Sequence, residues 1–269
     1  MLLWSTSGLF AKAPLFDTWS TDVRGPLLAF WRALFAGLLL VPAIRTPRWD
    51  LRLIPMTACF AIMNVTFLTA MSLTTAANTI WLQSTAPLWV FVFAVLFLGE
   101  PVRRGNVLAL AVGLVGIGVI LCFEIQDQSF TGVIVGLASG LGYSGVVIFL
   151  RQLRQQNGPW LVVLNHLVAA LFLLPYVIYT NEWPTAKQLL VLAAFGFFQM
   201  GLPYVLFARG LRYLGSQEAS LIGLIEPLLV PIWVFLSIGE LPATWTLAGG
   251  AFILLGLVIR VVTGSQANR

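Results

Sequence analysis

The residue best placed to do chemistry is a carboxylate inside an apolar run. Glu226 sits between LIGLI and PLLVPIWVF, about ten residues into its run and therefore ~15 Å deep in a bilayer at a 1.5 Å rise per residue. An ionised group at that depth has to be paired, face a wet cavity or carry a proton. Ala219 and Gly223 share its helical face and leave room beside it, and Pro227 weakens the local ladder, exposing a carbonyl. The expected role is recognition of a substrate amine or proton coupling. The alternative is a structural carboxylate bonded to a neighbouring helix. His166, the one histidine, lies beside Asn165 and is a second coupling candidate, since imidazole titrates near neutrality. A packing role is its alternative. Arg32 lies ~9 Å inside the opposite face and suits a substrate carboxylate, unless it snorkels outward. Lys12 ends the first run.

Uncharged groups form a second set. Thr79 and Gln83 are one helical turn apart, with Trp81 and Ser84 on the neighbouring stripe. Asn64 and Tyr204 stand at equivalent places in two repeated segments, as do Trp4 with Tyr143 and Ser5 with Ser144. Aromatic walls with a few polar groups describe a pocket for a small amphipathic solute, and ordinary interface packing is the alternative. The expected substrate-binding set is Glu226, Trp4, Ser5, Asn64, Thr79, Trp81, Gln83, Tyr143, Tyr204 and Arg32. Gly132, Gly136, Gly140 and Ser144 form a small-residue ridge suited to close helix packing. Gly113, Gly116 and Gly118 are of the same kind, because no strand precedes them as a dinucleotide loop requires. Cys59 and Cys122 lie in apolar runs without metal-ligand partners, so neither a metal nor a cofactor is expected.

The elements that position these groups are membrane spans. Hydrophobic residues make up 59% of the 269-residue chain and charged residues 9%, and the mean hydropathy is +0.93, far from a soluble globular protein. Ten apolar runs occur at roughly 1–16, 26–45, 53–72, 77–98, 105–123, 131–150, 160–180, 188–208, 217–238 and 243–262. Nine are long enough for a helix across a ~30 Å hydrocarbon layer. None alternates with period two, which excludes a β-barrel. The first run is short, which leads to the expectation that the native product extends upstream of Met1.

The sequence also repeats. Pro87–Glu100 reads PLWVFVFAVLFLGE, and Pro227–Glu240, 140 residues later, reads PLLVPIWVFLSIGE. The same offset aligns Phe67 with Phe207, Ala70 with Gly210 and Gly116 with Gly256. The joints between runs carry eleven basic residues on one side and three on the other (Lys12, Arg24 and Lys187), with Arg32 inside a run. The positive-inside rule puts the richer side, with both termini, in the cytoplasm. The net charge of +5 is thus a matter of topology, and no nucleic acid is implied. Five spans per copy make the copies cross in opposite directions, an arrangement common among secondary transporters. The expected fold is therefore an all-α integral membrane protein of ten transmembrane helices, built as two inverted five-helix repeats.

The pattern P-x12-G-E followed by a Gly-rich span resembles the EamA units of the drug/metabolite transporter superfamily. Leu3-Trp4 with Phe10 and Lys12 is similar to the first-helix motif of that family. The resemblance covers nearly the whole chain, as one repeat over 1–123 and another over 131–262, with 263–269 left as a cytoplasmic tail. Ala109 departs from it, standing where the first copy commonly carries the glycine that the second has at Gly249. The resemblance implies a permease, often an exporter, of small metabolites such as amino acids or amphipathic and aromatic solutes, with a central cavity between its halves. Its setting would be a bacterial inner membrane, its partners substrate, lipid and protons, and its state a monomer or homodimer. A nucleotide-sugar or organic-anion carrier is the alternative, and a channel would need rings of charge or a carbonyl filter that the sequence lacks. A membrane enzyme would need clustered nucleophiles or ligands, and one His with two separated Cys does not supply them.

Overall fold

A computed structural model of the chain describes residues 2–99, 102, 104–124, 130–153, 155–203, 206 and 225–266. Among these, regular structure is helical throughout. A 3-10 turn, Trp4–Thr6, leads into the short α1 (Ser7–Ala11), followed by a second such turn, Pro14–Phe16. Then come α2 (Thr21–Leu40), α3 (Leu53–Leu73), α4 (Ala76–Gln83), α5 (Ala86–Leu98), α6 (Arg104–Glu124), α7 (Phe130–Gln152) and α8 (Gly158–Thr180). The chain continues through α9 (Ala186–Ala194) into a π-helical turn (Phe195–Gly201), and ends with α10 (Ile225–Ile238) and α11 (Thr244–Gln266).

Seven helical segments among the described residues are long and apolar enough to cross a membrane, with Ala186–Gly201 and Ile225–Ile238 as shorter apolar helices. The ten-span expectation is therefore met in seven places. The first run forms only a turn and α1. The run at 217–238 is described from Ile225 onward. The run at 77–98 divides into α4 and α5, because Pro87 has no N–H to offer the Gln83 carbonyl. In that break the hydroxyl of Ser84 donates to the Ile80 carbonyl and that of Thr85 to the Leu82 carbonyl. These hydroxyls thereby find acceptors within their own helix.

The repeated Gly-Glu pair has a local cause. Gly99 ends α5 at φ +62°, and Gly239 follows α10 at φ +73°. Both occupy the left-handed conformation that closes a helix with little strain only for glycine.

Packing is most extensive between α6 and α11, α3 and α7, and α2 and α8. At the first of these, a Cβ on Gly116 would stand 2.4 Å from the Gly249 carbonyl oxygen, and one on Gly256 would stand 2.7 Å from the Ala109 carbonyl oxygen. The two backbones therefore touch, as small residues allow. Large apolar side chains face outward, among them Leu171 and Phe172 on α8 and Leu236 on α10. The joints gather at two ends. At one, Lys12 meets Glu240 and the Thr74 carbonyl, while Gln188 donates to the Leu15 carbonyl and to Thr18. At the other, Trp160 donates to the Arg48 carbonyl.

Candidate functional site

Arg32 is the hub of the interior. It is 2% exposed, so it does not snorkel. One terminal nitrogen, Nη2, donates to Asn64 Oδ1 on α3, and the other, Nη1, donates to Gln199 Oε1 at 3.2 Å. The guanidinium carbon lies 5.7 Å from the Phe67 ring centroid and 5.2 Å from that of Phe195. Two charge-assisted hydrogen bonds contribute about 1.5–3 kcal/mol each, and desolvated cation–π contacts add up to about 2 kcal/mol. That is the order needed to hold a cation out of water. Asn64 is fully committed, because its Nδ2 donates to the Ala29 carbonyl at 3.0 Å. Gln199 also bridges outward, its Nε2 donating to the Trp4 carbonyl at 3.2 Å.

The π turn sets this geometry. Gly196 lies so close to α2 that a Cβ would stand 2.9 Å from the Arg32 carbonyl oxygen and 2.7 Å from Phe35 Cβ. Three residues later Gln199 reaches both Arg32 and the first turn of the chain. Neither Gln199 nor Phe195 was among the expected site residues, since apolar periodicity gives no sign of a π turn.

A second tie reaches α10. Trp81 Nε1 donates to the Pro227 carbonyl at 2.8 Å. That carbonyl is available because Pro231, four residues on, has no N–H to bond it. The Trp81 ring lies flat on α11, where a Cβ at Gly250 would stand 2.0 Å from Trp81 Cε3. Glu226 directly precedes this tie. It is half-buried. Nearby, Trp233 Nε1 donates to Ser5 Oγ at 2.9 Å, and Ser5 Oγ donates to the Leu2 carbonyl. The first turn of the chain, α4 and α10 are thereby joined.

The remaining expected residues separate. Thr79 is fully buried and donates to the Thr75 carbonyl of its own helix. Gln83 is half-buried at the end of α4. Tyr143 lies on α7 at 38% exposure. His166 is buried between α2, α3 and α8, its Nδ1 donating to the Val162 carbonyl and its ring 4.7 Å from Phe60. Tyr204, Arg209, Arg212, Ala219, Gly223 and Glu100 lie outside the described residues.

At one end a polar latch joins distant segments. Lys12 Nζ is 2.8 Å from Glu240 Oε2 and donates to the Thr74 carbonyl at 2.7 Å. Glu240 Oε1 accepts from the Ala76 amide, the first N–H of α4, at 2.7 Å. A carboxylate at a helix N-terminus is favoured by the exposed amides and the helix dipole. The motif glutamate therefore connects α1, α4 and the α10–α11 joint. Among the described residues no group of His, Cys, Asp and Glu could hold a metal ion.

Comparison with known proteins agrees with this architecture. The family described as EamA-like transporter family matches residues 1–122 and 130–262. A curated relative from Archaeoglobus fulgidus, named "Uncharacterized transporter", is 31% identical over 264 residues, covering 94% of each chain. A crystal structure of a protein superposes with a TM-score of 0.64 at 19% identity, covering 97% of this chain and 94% of that one. At that identity the last comparison speaks for the fold alone.

Proposed function

Because the chain belongs to the EamA-like transporter family and is a multi-pass membrane transporter, we propose that it moves small metabolites by alternating access between two inverted repeats. Its substrates are amino acids or amphipathic and aromatic solutes, carried outward across a bacterial inner membrane, with both termini in the cytoplasm.

The observation that carries this reading is the α10 neighbourhood. A half-buried carboxylate, Glu226, stands beside the tie in which Trp81 from one half donates to the Pro227 carbonyl of the other. Such a group recognises a cationic solute or exchanges a proton during the cycle. The contacts of α6 and α11 support the repeat. An offset of 140 carries Gly116 to Gly256 and Ala109 to Gly249, and Gly116–Gly249 and Gly256–Ala109 are both backbone contacts. That exchange is what a pseudo-two-fold axis between the last helices of two units would produce. His166, back-bonded to its own helix and packed on Phe60, fits packing better than proton transfer. The organic-anion alternative leans on Arg32, whose two terminal nitrogens are already engaged by Asn64 and Gln199.

The test is a flux screen in proteoliposomes with amino acids, amines and aromatic solutes, with and without a pH gradient. Saturable, gradient-dependent uptake of one class is expected. Unsaturable, gradient-independent ion conductance would point to a channel and overturn the reading.

A further inference from the structure

The joint between α2 and α3 is held in place by a side chain of α8. Residues 44–50 have no helix, yet they are pinned. Trp160, at the start of α8, donates its indole N–H to the Arg48 carbonyl at 3.1 Å, and Trp49 packs edge-on against Trp160 with ring centroids 5.3 Å apart. The joint carries Arg45, Arg48 and Arg52 against one acid, Asp50. Arg52 takes that acid completely. Its Nε and Nη2 donate to the two carboxylate oxygens at 2.9 and 2.6 Å, and its backbone amide donates to Oδ1 at 2.9 Å. The Arg52 guanidinium holds the Asp50 carboxyl down at about 2, so the pair stays ionised and neutral overall at any working pH. Arg45 and Arg48 are exposed, with no carboxylate at ion-pairing distance among the described residues.

Apolar groups stand open beside these two cations. Trp49 is 79% exposed, Leu51 85% and Ile54 69%. Leu38 and Leu39 at the end of α2 and Val41 in its following turn are exposed as well. Exposed apolar side chains on the same joint as guanidinium groups that have no carboxylate partner among the described residues match a single kind of partner, a lipid with acyl chains and an anionic headgroup. A soluble acidic partner would leave the Trp49–Ile54 patch uncovered, and a neutral lipid would leave the two charges unanswered.

We propose that the pinned α2–α3 joint is a binding site for an anionic phospholipid, with Arg45 and Arg48 on its phosphate and Trp49 and Leu51 in its glycerol and acyl region. The site is independent of what the protein transports. Trp160 is the positioning residue, because its hydrogen bond fixes the backbone from which Arg48 projects.

Native mass spectrometry of delipidated full-length protein tests this, with palmitoyl-oleoyl phosphatidylglycerol and phosphatidylcholine as probes. Near an anionic surface one cation is worth roughly fivefold in binding, and two about thirtyfold. The wild type should retain phosphatidylglycerol in preference to phosphatidylcholine by up to that factor. The variant R45Q/R48Q should bind both lipids equally while unfolding at the wild-type temperature. K187Q, an exposed cation of the opposite end, should keep the full preference, and W49A should weaken both lipids together. Equal binding of the two lipids by the wild type, or a preference surviving in R45Q/R48Q, would overturn the proposal. A loss of preference in K187Q as large as in R45Q/R48Q would also overturn it, by assigning the effect to net charge.

Discussion

Replacing Lys12 by Met should loosen one end of the molecule by an amount that can be worked from the latch. The substitution keeps the apolar stem but removes the 2.8 Å ion pair with Glu240 and the 2.7 Å hydrogen bond to the Thr74 carbonyl. The two side chains are 17% and 20% exposed, so solvent screens part of the attraction and the value lies between those of surface and buried pairs. A loss of about 2 kcal/mol is reasonable for one charged hydrogen bond plus a screened ion pair, and corresponds to about thirtyfold in an equilibrium constant. The readout is the Ala76 amide, which Glu240 holds at 2.7 Å. Its hydrogen exchange reports how often this end opens, and its protection should fall by about that factor. Glu240→Gln keeps an acceptor for the amide, so its effect should be smaller than that of Glu240→Ala. Exchanging the charges, Lys12→Glu with Glu240→Lys, should fail to restore protection. The exchanged pair would face the Thr74 carbonyl with an acceptor and the Ala76 amide with a donor. Protection unchanged within about twofold in Lys12→Met, or full rescue by the exchanged pair, would show that the contact is an idle surface pair.

Two further substitutions probe the interior. Trp81→Phe leaves the buried Pro227 carbonyl without its donor and should cost about 1–3 kcal/mol, read as a lower unfolding temperature in detergent. Trp81→His, which retains a ring N–H, should lose less if that nitrogen reaches the carbonyl. Asn64→Leu and Gln199→Leu should each destabilise by about 1.5–3 kcal/mol, because each strips an acceptor from Arg32. Their combined effect should depart from the sum, since both act on one guanidinium, and a double-mutant cycle measures the departure.

The helices were legible in the sequence because their signals are local. Long apolar runs mark α2, α3, α6, α7, α8 and α11, and Gly99 and Gly239 mark helix ends through their own backbone angles. Several residues singled out for their chemistry do join distant segments, among them Arg32, Asn64, Ser5 and Trp81. Their partners were not legible. Gln199 is 167 residues from Arg32 and 195 from Trp4, and it reaches both from a π turn that no periodicity announces. Trp233 is 228 residues from Ser5. Lys12 falls on the side with few basic residues and Glu240 closes the second repeated segment, yet nothing in either stretch says that they meet. The break between α4 and α5 is hidden within one apolar run, although Pro87 and two adjacent hydroxyl residues, Ser84 and Thr85, stand at it. Continuous apolarity outweighed them.

The proposed role of Glu226, serving the transported solute or its coupling proton, is tested by flux through purified Glu226→Gln in proteoliposomes. The amide keeps the shape and hydrogen-bonding capacity of the carboxyl group while removing its charge, so yield and unfolding temperature should match the wild type. The account predicts that saturable flux is lost, or that its dependence on pH disappears. Wild-type flux with an unchanged pH profile would contradict it and leave Glu226 a structural carboxylate.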